Sequence, residues 1–441
     1  MRASPFRLVV ISVLCTPLFL SAQQPSDGAR PISLAEAVRL AQLNSPTTVS
    51  ARNALRTGKL NEMYALGQYL PSLNISYGAS NSSGGQFIQG ELVPYKGYPW
   101  NYGKGYNASL LLFDGGQRWF SYLQAQANQR ANSENETLQR FGIAYTVKQQ
   151  YYSVLQAREL EAAGASALEQ AQVALNASSA RVKVGAVVRT DSLRAAIQVG
   201  SARLSLLNAR AQLRDANAAL TRLVASNVPV TAVAADTSDV PRIDVDDASL
   251  SRMADDGPNV RQAIASFDAA KQGRRATITS QFIPRVSANY NYSANAFPTP
   301  DFNWGGGPSA SKQTFYSFGL SYAIFNNFSR ELNTMVATVA ADNAEAALRD
   351  ARFNAKANLA QLVDQFRTAA ETIELQQLQI AAAQEDLAAQ QSRYALGASS
   401  YLDLLTSQTA LDSQRILLIG ARFQARTAKA AIEAFIGRDL K

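Results

Sequence analysis

The chain has 441 residues, with 42 Lys and Arg against 34 Asp and Glu, no histidine and a single cysteine. Without histidine, and with Cys15 confined to the N-terminal apolar stretch, the commonest catalytic bases, thiol nucleophiles and most transition-metal ligand sets are missing, so neither an enzyme nor a cofactor is expected. The formal net charge of +8 is spread as basic residues alternating with acids and amides, which are solvated helix faces rather than a nucleic-acid stripe.

Residues 1–22 read as a secretory signal. Arg2 and Arg7 form the basic start, Leu8 to Leu20 the apolar stretch, and Ser21-Ala22 a small-residue cleavage site. Leu14 before Cys15 is too large for a lipid-attachment site. Removing Arg2 and Arg7 lowers the net charge from +8 to +6 and leaves no cysteine, so stability rests on packing. No later apolar stretch approaches the twenty or so residues of a membrane-spanning helix.

The remainder says nearly the same thing twice, 212 residues apart. Leu193, Ile197, Gly200, Leu204, Leu207, Ala211, Arg214 and Ala218 are spaced as are Leu405, Thr409, Asp412, Ile416, Ile419, Phe423, Arg426 and Ala430. Pro46 falls on Pro258 and Phe113 on Phe325, while Pro71 and Pro284 slip by one. Two tandem structural repeats are expected, 23–238 and 239–441, each longer than a solenoid unit.

Each repeat carries two proline-free, Ala/Gln/Leu-rich segments, about Gln117–Lys183 and Thr190–Ala225, then Ser329–Ala395 and Tyr401–Ile436. Leu359, Leu362, Phe366, Ala369, Ile373, Gln376 and Ile380 keep the 3.5-residue spacing of a coiled coil. Leu206, Leu213 and Leu220 form a second stripe, so the helices need neighbours on two sides, as in a wall closed on itself.

Between the helices the period changes to two. Strands are expected at about 72–80 and 104–113, with Leu73, Ile75, Tyr77, Tyr106, Leu110 and Leu112 on one face. Their copies, about 285–294 and 314–325, place Val286, Tyr290, Tyr292, Phe318, Leu320, Tyr322 and Ile324 likewise. Strict alternation over about ten residues, with aromatics toward the ends, is the pattern of transmembrane barrel strands, these residues facing lipid. Long loops, about Asn81–Gly105 and Asn295–Ser311, join each pair. Gly305-Gly306-Gly307 lacks the lysine and strand-turn-helix context of a phosphate loop. Four strands cannot close a barrel, and open edges are not tolerated in lipid. Several copies must share one: two would give eight strands, three would give twelve.

From about Ile32 to Arg438 the chain resembles the TolC-type outer-membrane efflux proteins. The resemblance rests on the tandem halves, the strand pairs set between long helices, and the two tips. These read Val184-Gly185-Ala186-Val187-Val188-Arg189-Thr190-Asp191 and Leu396-Gly397-Ala398-Ser399-Ser400-Tyr401-Leu402-Asp403. It implies a mainly α fold with a small β part, assembled as a homotrimer with a 12-stranded barrel and an α-helical periplasmic tunnel. The implied function is a passive exit duct for small molecules or polypeptides, in tripartite efflux or type I secretion. The setting is the outer membrane of a Gram-negative-type bacterium. Implied partners are a periplasmic adaptor protein and an inner-membrane pump of RND, ABC or MFS type, with outer-membrane lipid around the barrel. The tips (Val184, Gly185, Thr190, Asp191; Leu396, Gly397, Leu402, Asp403) would dock the adaptor, with the glycines as C-caps and Asp191 and Asp403 as N-caps.

The acidic pair Glu385–Asp386 has Val173 and Ala174 as its first-repeat equivalents, an asymmetry between the halves. In the resembling proteins such acids line the periplasmic constriction; the alternative is two solvated surface acids. Arg393 and Tyr394 would either tie that helix to its neighbours or simply pack. The rival to the whole reading is a coiled-coil spacer of the cell envelope with no channel. The segment Asn227–Ser249 is short, implying a small equatorial collar.

Overall fold

The two halves of the chain fold as two versions of one succession of elements. The computed structural model describes residues 29–81, 85–94, 101–185, 187–233, 243, 246–296 and 311–440. The expected signal segment 1–22 with Cys15, and the glycine run at 305–307, lie outside them. The first half comprises β1 (Arg30–Ile32), α1 (Leu34–Asn44), α2 (Pro46–Gly67), β2 (Ser72–Ser80), β3 (Gly85–Ile88), β4 (Glu91–Pro94), β5 (Asn101–Phe113), α3 (Gln117–Lys183), α4 (Arg189–Leu223) and β6 (Val230–Ala232). The second comprises α5 (Asp247–Asp255), α6 (Pro258–Phe282), β7 (Arg285–Ala296), β8 (Ser311–Ser321), α7 (Ser329–Ala395) and α8 (Tyr401–Ile436). Helices α6, α7 and α8 each begin 212 residues after α2, α3 and α4.

Local chemistry explains the boundaries. Pro46 and Pro258 open α2 and α6, where a missing N–H costs nothing. Ser33 caps α1 by accepting from the Glu36 N–H at 3.2 Å. Between β5 and α3, Gly115 and Gly116 adopt φ of 67° and 92°, a left-handed turn that reverses the chain within two residues. Asp114 binds that turn by accepting from the Gly116 and Arg118 N–H groups, each at 3.0 Å. Its carboxylate also pairs with the buried Arg118 guanidinium at 2.8 Å, which lies over the Tyr69 ring.

Helices α3 and α7 hold 67 residues each, roughly 100 Å at 1.5 Å per residue. In α7 the buried residues Ala341, Leu348 and Ala355, then Leu359, Phe366 and Ile373, recur every seven positions, the seam of a left-handed coiled coil. Around the strand-proximal ends the helices lie side by side as α2–α3–α6–α7, and toward the tips as α4–α3–α8–α7. Midway, α1 and the short parallel pair β1–β6 pack on α3 and α4 around Val147, Tyr151, Val154 and Leu220. The equivalent packing in the second half joins α5 to α7 and α8 around Leu250, Leu359, Phe366 and Ile432.

The four long strands make one antiparallel sheet in the order β2-β5-β7-β8. Its two departures from the sequence pattern have local causes. A bulge between Leu111 and Phe113 sets Phe113 opposite Val286, so the alternation that put Leu112 on the apolar face breaks one residue earlier. Strand β8 ends at Ser321, leaving Tyr322 and Ile324 in the connection to α7 rather than in a strand. The stretch read as loop, Asn81–Gly105, contains the hairpin β3–β4, turned by Gln89 and Gly90, both at positive φ. Two successive positive-φ residues give the turn whose twist matches the strands.

Candidate functional site

Two regions are built for contact with something outside the single chain. The first is the sheet. Its register puts Leu73 opposite Ala108, Ile75 opposite Tyr106, Tyr106 opposite Tyr292, Ala108 opposite Tyr290, Leu110 opposite Ala288, Ala288 opposite Phe318 and Val286 opposite Leu320. These residues therefore share one face. Alternating with them are Asn74, Asn107, Asn289, Asn291 and Ser317 on the other. Tyrosines stack across strands, Tyr106 on Tyr292 at 5.5 Å and Tyr290 on Tyr316 at 5.1 Å between ring centroids. Leu73, Ile75, Tyr77, Phe318 and Leu320 are exposed. A second aromatic set, Tyr69, Phe113, Phe325 and Phe328, is exposed where the strands meet the helices. A face this apolar with aromatics toward both ends suits a bilayer and not water. No helix among the described residues is long and apolar enough to cross a membrane. The sheet nevertheless has two bare edges, β2 and β8. The apolar flanks beneath them are equally bare: Leu60, Met63 and Tyr64 of α2, Leu193, Ile197, Leu204 and Leu207 of α4, and Leu332, Met335, Val336 and Val339 of α7.

The second region is the pair of hairpin tips. Gly185 and Gly397 have φ of 71° and 73°, and a Cβ at either would meet nothing within 4 Å. The second tip closes with the Ala398 N–H donating to the Arg393 carbonyl at 2.8 Å and the Gly397 N–H to the Tyr394 carbonyl at 3.2 Å, an αL helix end. Neither aspartate is an N-cap. Ser400 caps α8, and Asp403 sits three residues on, accepting from the Ser400 N–H at 2.9 Å while the Asp403 N–H donates to Ser400 Oγ at 3.2 Å. In this reciprocal box the Ser400 hydroxyl also donates to the Asp403 carboxylate at 2.8 Å, and this bond, then the Ser400 N–H, with Arg393 nearby, hold that carboxyl below its ordinary value. In the first tip Val188 replaces the serine, no side chain caps α4, and Asp191 faces Arg194 at 3.6 Å. Val184, Val188, Leu396 and Leu402 stand exposed, and Thr190 with them.

Behind the tips, Tyr394 links both hairpins. Its ring lies 6.0 Å from that of buried Tyr401, and the Arg181 guanidinium of α3 sits over it at 5.0 Å. Arg393 is exposed beside it. Burial raises the Tyr401 hydroxyl above its ordinary value. The acidic pair divides its duties: Asp386 accepts a hydrogen bond from Ser407 Oγ, joining α7 to α8, whereas exposed Glu385 forms no ion pair among the described residues. Sequence reasoning missed this Ser407 contact and the Arg181–Tyr394 stack, neither of which has a periodic signature.

The family model described as Outer membrane efflux protein matches residues 37–226 and 249–438. No curated protein matches the chain by sequence. Among solved structures, CusC, whose crystal structures concern conformational changes on folding and transmembrane channel formation, superposes with a TM-score of 0.80 at 18% identity, over 95% of this chain and 96% of that one. The outer membrane protein VceC from Vibrio cholerae gives 0.75 at 16% identity, over 92% and 97%. The open state of the Neisseria gonorrhoeae MtrE outer membrane channel gives 0.76 at 19% identity, over 92% and 89%.

Proposed function

The chain belongs to the outer membrane efflux protein family, and from that premise we propose that it is the passive exit duct of a tripartite efflux or type I secretion assembly. Three copies supply twelve strands to one barrel and twelve helix segments to a tunnel beneath it, spanning the outer membrane and reaching into the periplasm. The observation that carries this reading is the open four-stranded sheet with an apolar face, set above helices whose apolar flanks are bare on the same two sides. An open edge in hydrocarbon leaves a row of N–H and C=O groups unsatisfied, at several kcal/mol each, so only closure with other copies is stable there. Eight strands would enclose a space filled by side chains; twelve leave a lumen.

The tips are the partner-facing end. Val184, Gly185, Thr190 and Asp191, with Leu396, Gly397, Leu402 and Asp403, offer four exposed apolar side chains, counting Val188, on rigid αL turns to an adaptor protein that couples to an inner-membrane pump. Glu385, Asp386, Arg393 and Tyr394 stand where the tunnel narrows.

Native mass spectrometry of the detergent-extracted protein, paired with planar-bilayer recording, tests the duct. A trimer with ohmic conductance is expected. A protein that stays monomeric in plain buffer with no conductance would instead support the spacer reading.

A further inference from the structure

The contact between the two repeats inside one chain is a template for the contact between chains, because each repeat presents its helices and its two long strands in the same order. The hairpin registers show how faithful the copy is. Ser72 pairs with Ser109 and Ser80 with Asn101 in the first repeat, Arg285 with Ser321 and Ser293 with Gln313 in the second, so β2 maps onto β7 by 213 residues and β5 onto β8 by 212. The internal joint runs from α3 and β5 of the first repeat to α6 and β7 of the second. Its image runs from α7 and β8 of one copy to α2 and β2 of the next. Side chains covered at the internal joint have bare counterparts at the image. Ala276 is 7% exposed on α6 while Tyr64 on α2 is 70% exposed; Ala127 is 0% exposed on α3 while Val339 on α7 is 46% exposed.

At the internal joint Arg130 of α3 pairs with Asp268 of α6 at 3.7 Å. Their images are Asp342 on α7 and Arg56 on α2, the same pair with its charges exchanged. Both are exposed, and neither has an ion-pair partner among the described residues. We propose that Asp342 binds Arg56 of the adjoining copy, and that β8 adds to β2 of that copy in the register inherited from β5 and β7. Ala108 opposite Tyr290 becomes Leu320 opposite Tyr77, and Ser109 opposite Asn289 becomes Ser321 opposite Ser76. That register is checked independently by the faces it joins. Apolar Phe318 and Leu320 meet Ala79 and Tyr77, while Ser317, Gly319 and Ser321 meet Ser80, Gly78 and Ser76. A slip of one residue would set every apolar side chain against the polar face. The exchanged charges add polarity: like repels like if α7 meets α7 or α2 meets α2, so the contact is head-to-tail, the kind from which the proposed ring is built.

The inference rests on the trimeric reading, and its test separates the two. In full-length protein carrying Cys15→Ser, the double variant Ser76→Cys/Ser321→Cys should form disulfide-linked dimers and trimers on mild oxidation. A link within one chain is excluded, because β2 and β8 are opposite edges of the sheet. Asn74→Cys/Ser321→Cys, displaced by two residues, should link far less. Asp342→Arg alone should lower the temperature at which the detergent-solubilised oligomer dissociates, and Asp342→Arg/Arg56→Asp should restore it. An oligomer that links only through the displaced pair, or that the exchange fails to restore, overturns the register and ion pair while leaving the trimer standing. A monomer linking through neither pair overturns both.

Discussion

Lys148 shows how single residues lock the middle of the molecule. Its ammonium lies 2.6 Å from Glu433 Oε2 and 3.4 Å from Asp439, joining α3 to the end of α8 across the two repeats. Burial disfavours that charge, but the hydrogen bond to Glu433 and the two carboxylates outweigh it, and the lysine is held above its ordinary value. Glu433 also accepts from the Leu440 N–H at 3.2 Å, so it cannot turn away when the lysine is lost. Removing one partner of a well-buried pair costs about 3–5 kcal/mol; here the lysine is only partly covered, and about 2 kcal/mol is expected for Lys148→Met. Lys148→Met/Glu433→Leu should recover much of that loss, since the stranded carboxylate is then gone. Thermal melts of the three proteins check this. A lysine raised on folding stabilises fully below its unfolded value near 10.4 and loses that contribution as pH rises through the folded one. The gap between wild type and Lys148→Met should therefore be complete at neutral pH and shrink only above about pH 10.4. A gap unchanged into that alkaline range would assign the loss to packing instead.

At the scale of elements the hairpin tips separate conformation from recognition. A side chain at Gly185 or Gly397 has open space around it, so its penalty is the left-handed backbone alone, about 1–2 kcal/mol for most L residues and less for Asn. Gly397→Asn should keep near-normal export in cells, whereas Gly397→Trp should abolish it while outer-membrane trimer levels stay unchanged. Normal drug resistance with Gly397→Trp would remove the tip from partner docking. These glycines were readable from sequence because they stand at equivalent places in the two repeats, and the long helices because heptad spacing survives over many turns. What stayed hidden depends on two or three residues. The bulge at Leu111–Phe113 costs one position of alternation and has no composition of its own. The β3–β4 hairpin hinges on Gln89 taking positive φ beside Gly90, unusual for glutamine, although a Gly between Phe87-Ile88 and Leu92-Val93 was a usable hint. The Ser400–Asp403 box moved the cap by three residues, and its absence at Val188 shows that the repeats have diverged at the tips. At the sheet, the tyrosine and leucine alternation is legible because the pairing of β2, β5, β7 and β8 keeps apolar residues opposite apolar ones on one face.

For the whole molecule, the consequence of the proposed three-copy ring is that a single acid becomes three. Glu385 and Asp386 look equivalent in sequence, yet Asp386 is committed to Ser407 on α8, whereas Glu385 carries its charge on an exposed face. In the proposed trimer, three copies of Glu385 near the narrow end of the tunnel would attract cations and repel one another, and neither effect has an opposing first-repeat residue, since Val173 and Ala174 occupy the equivalent places. Fixed charge governs ion choice only within about a Debye length, ~10 Å at 0.1 M salt and ~3 Å at 1 M. Wild-type channels in a planar bilayer should accordingly prefer cations in a dilute KCl gradient and lose most of that preference in concentrated salt. Glu385→Ala should shift the reversal potential toward zero with little change in trimer stability. Asp386→Ala should act differently, loosening α7 from α8 and so raising open-state noise or conductance more than it alters selectivity. Identical reversal potentials for wild type and Glu385→Ala in dilute salt would place Glu385 outside the conduction path and leave the asymmetry of the repeats as a matter of surface solvation.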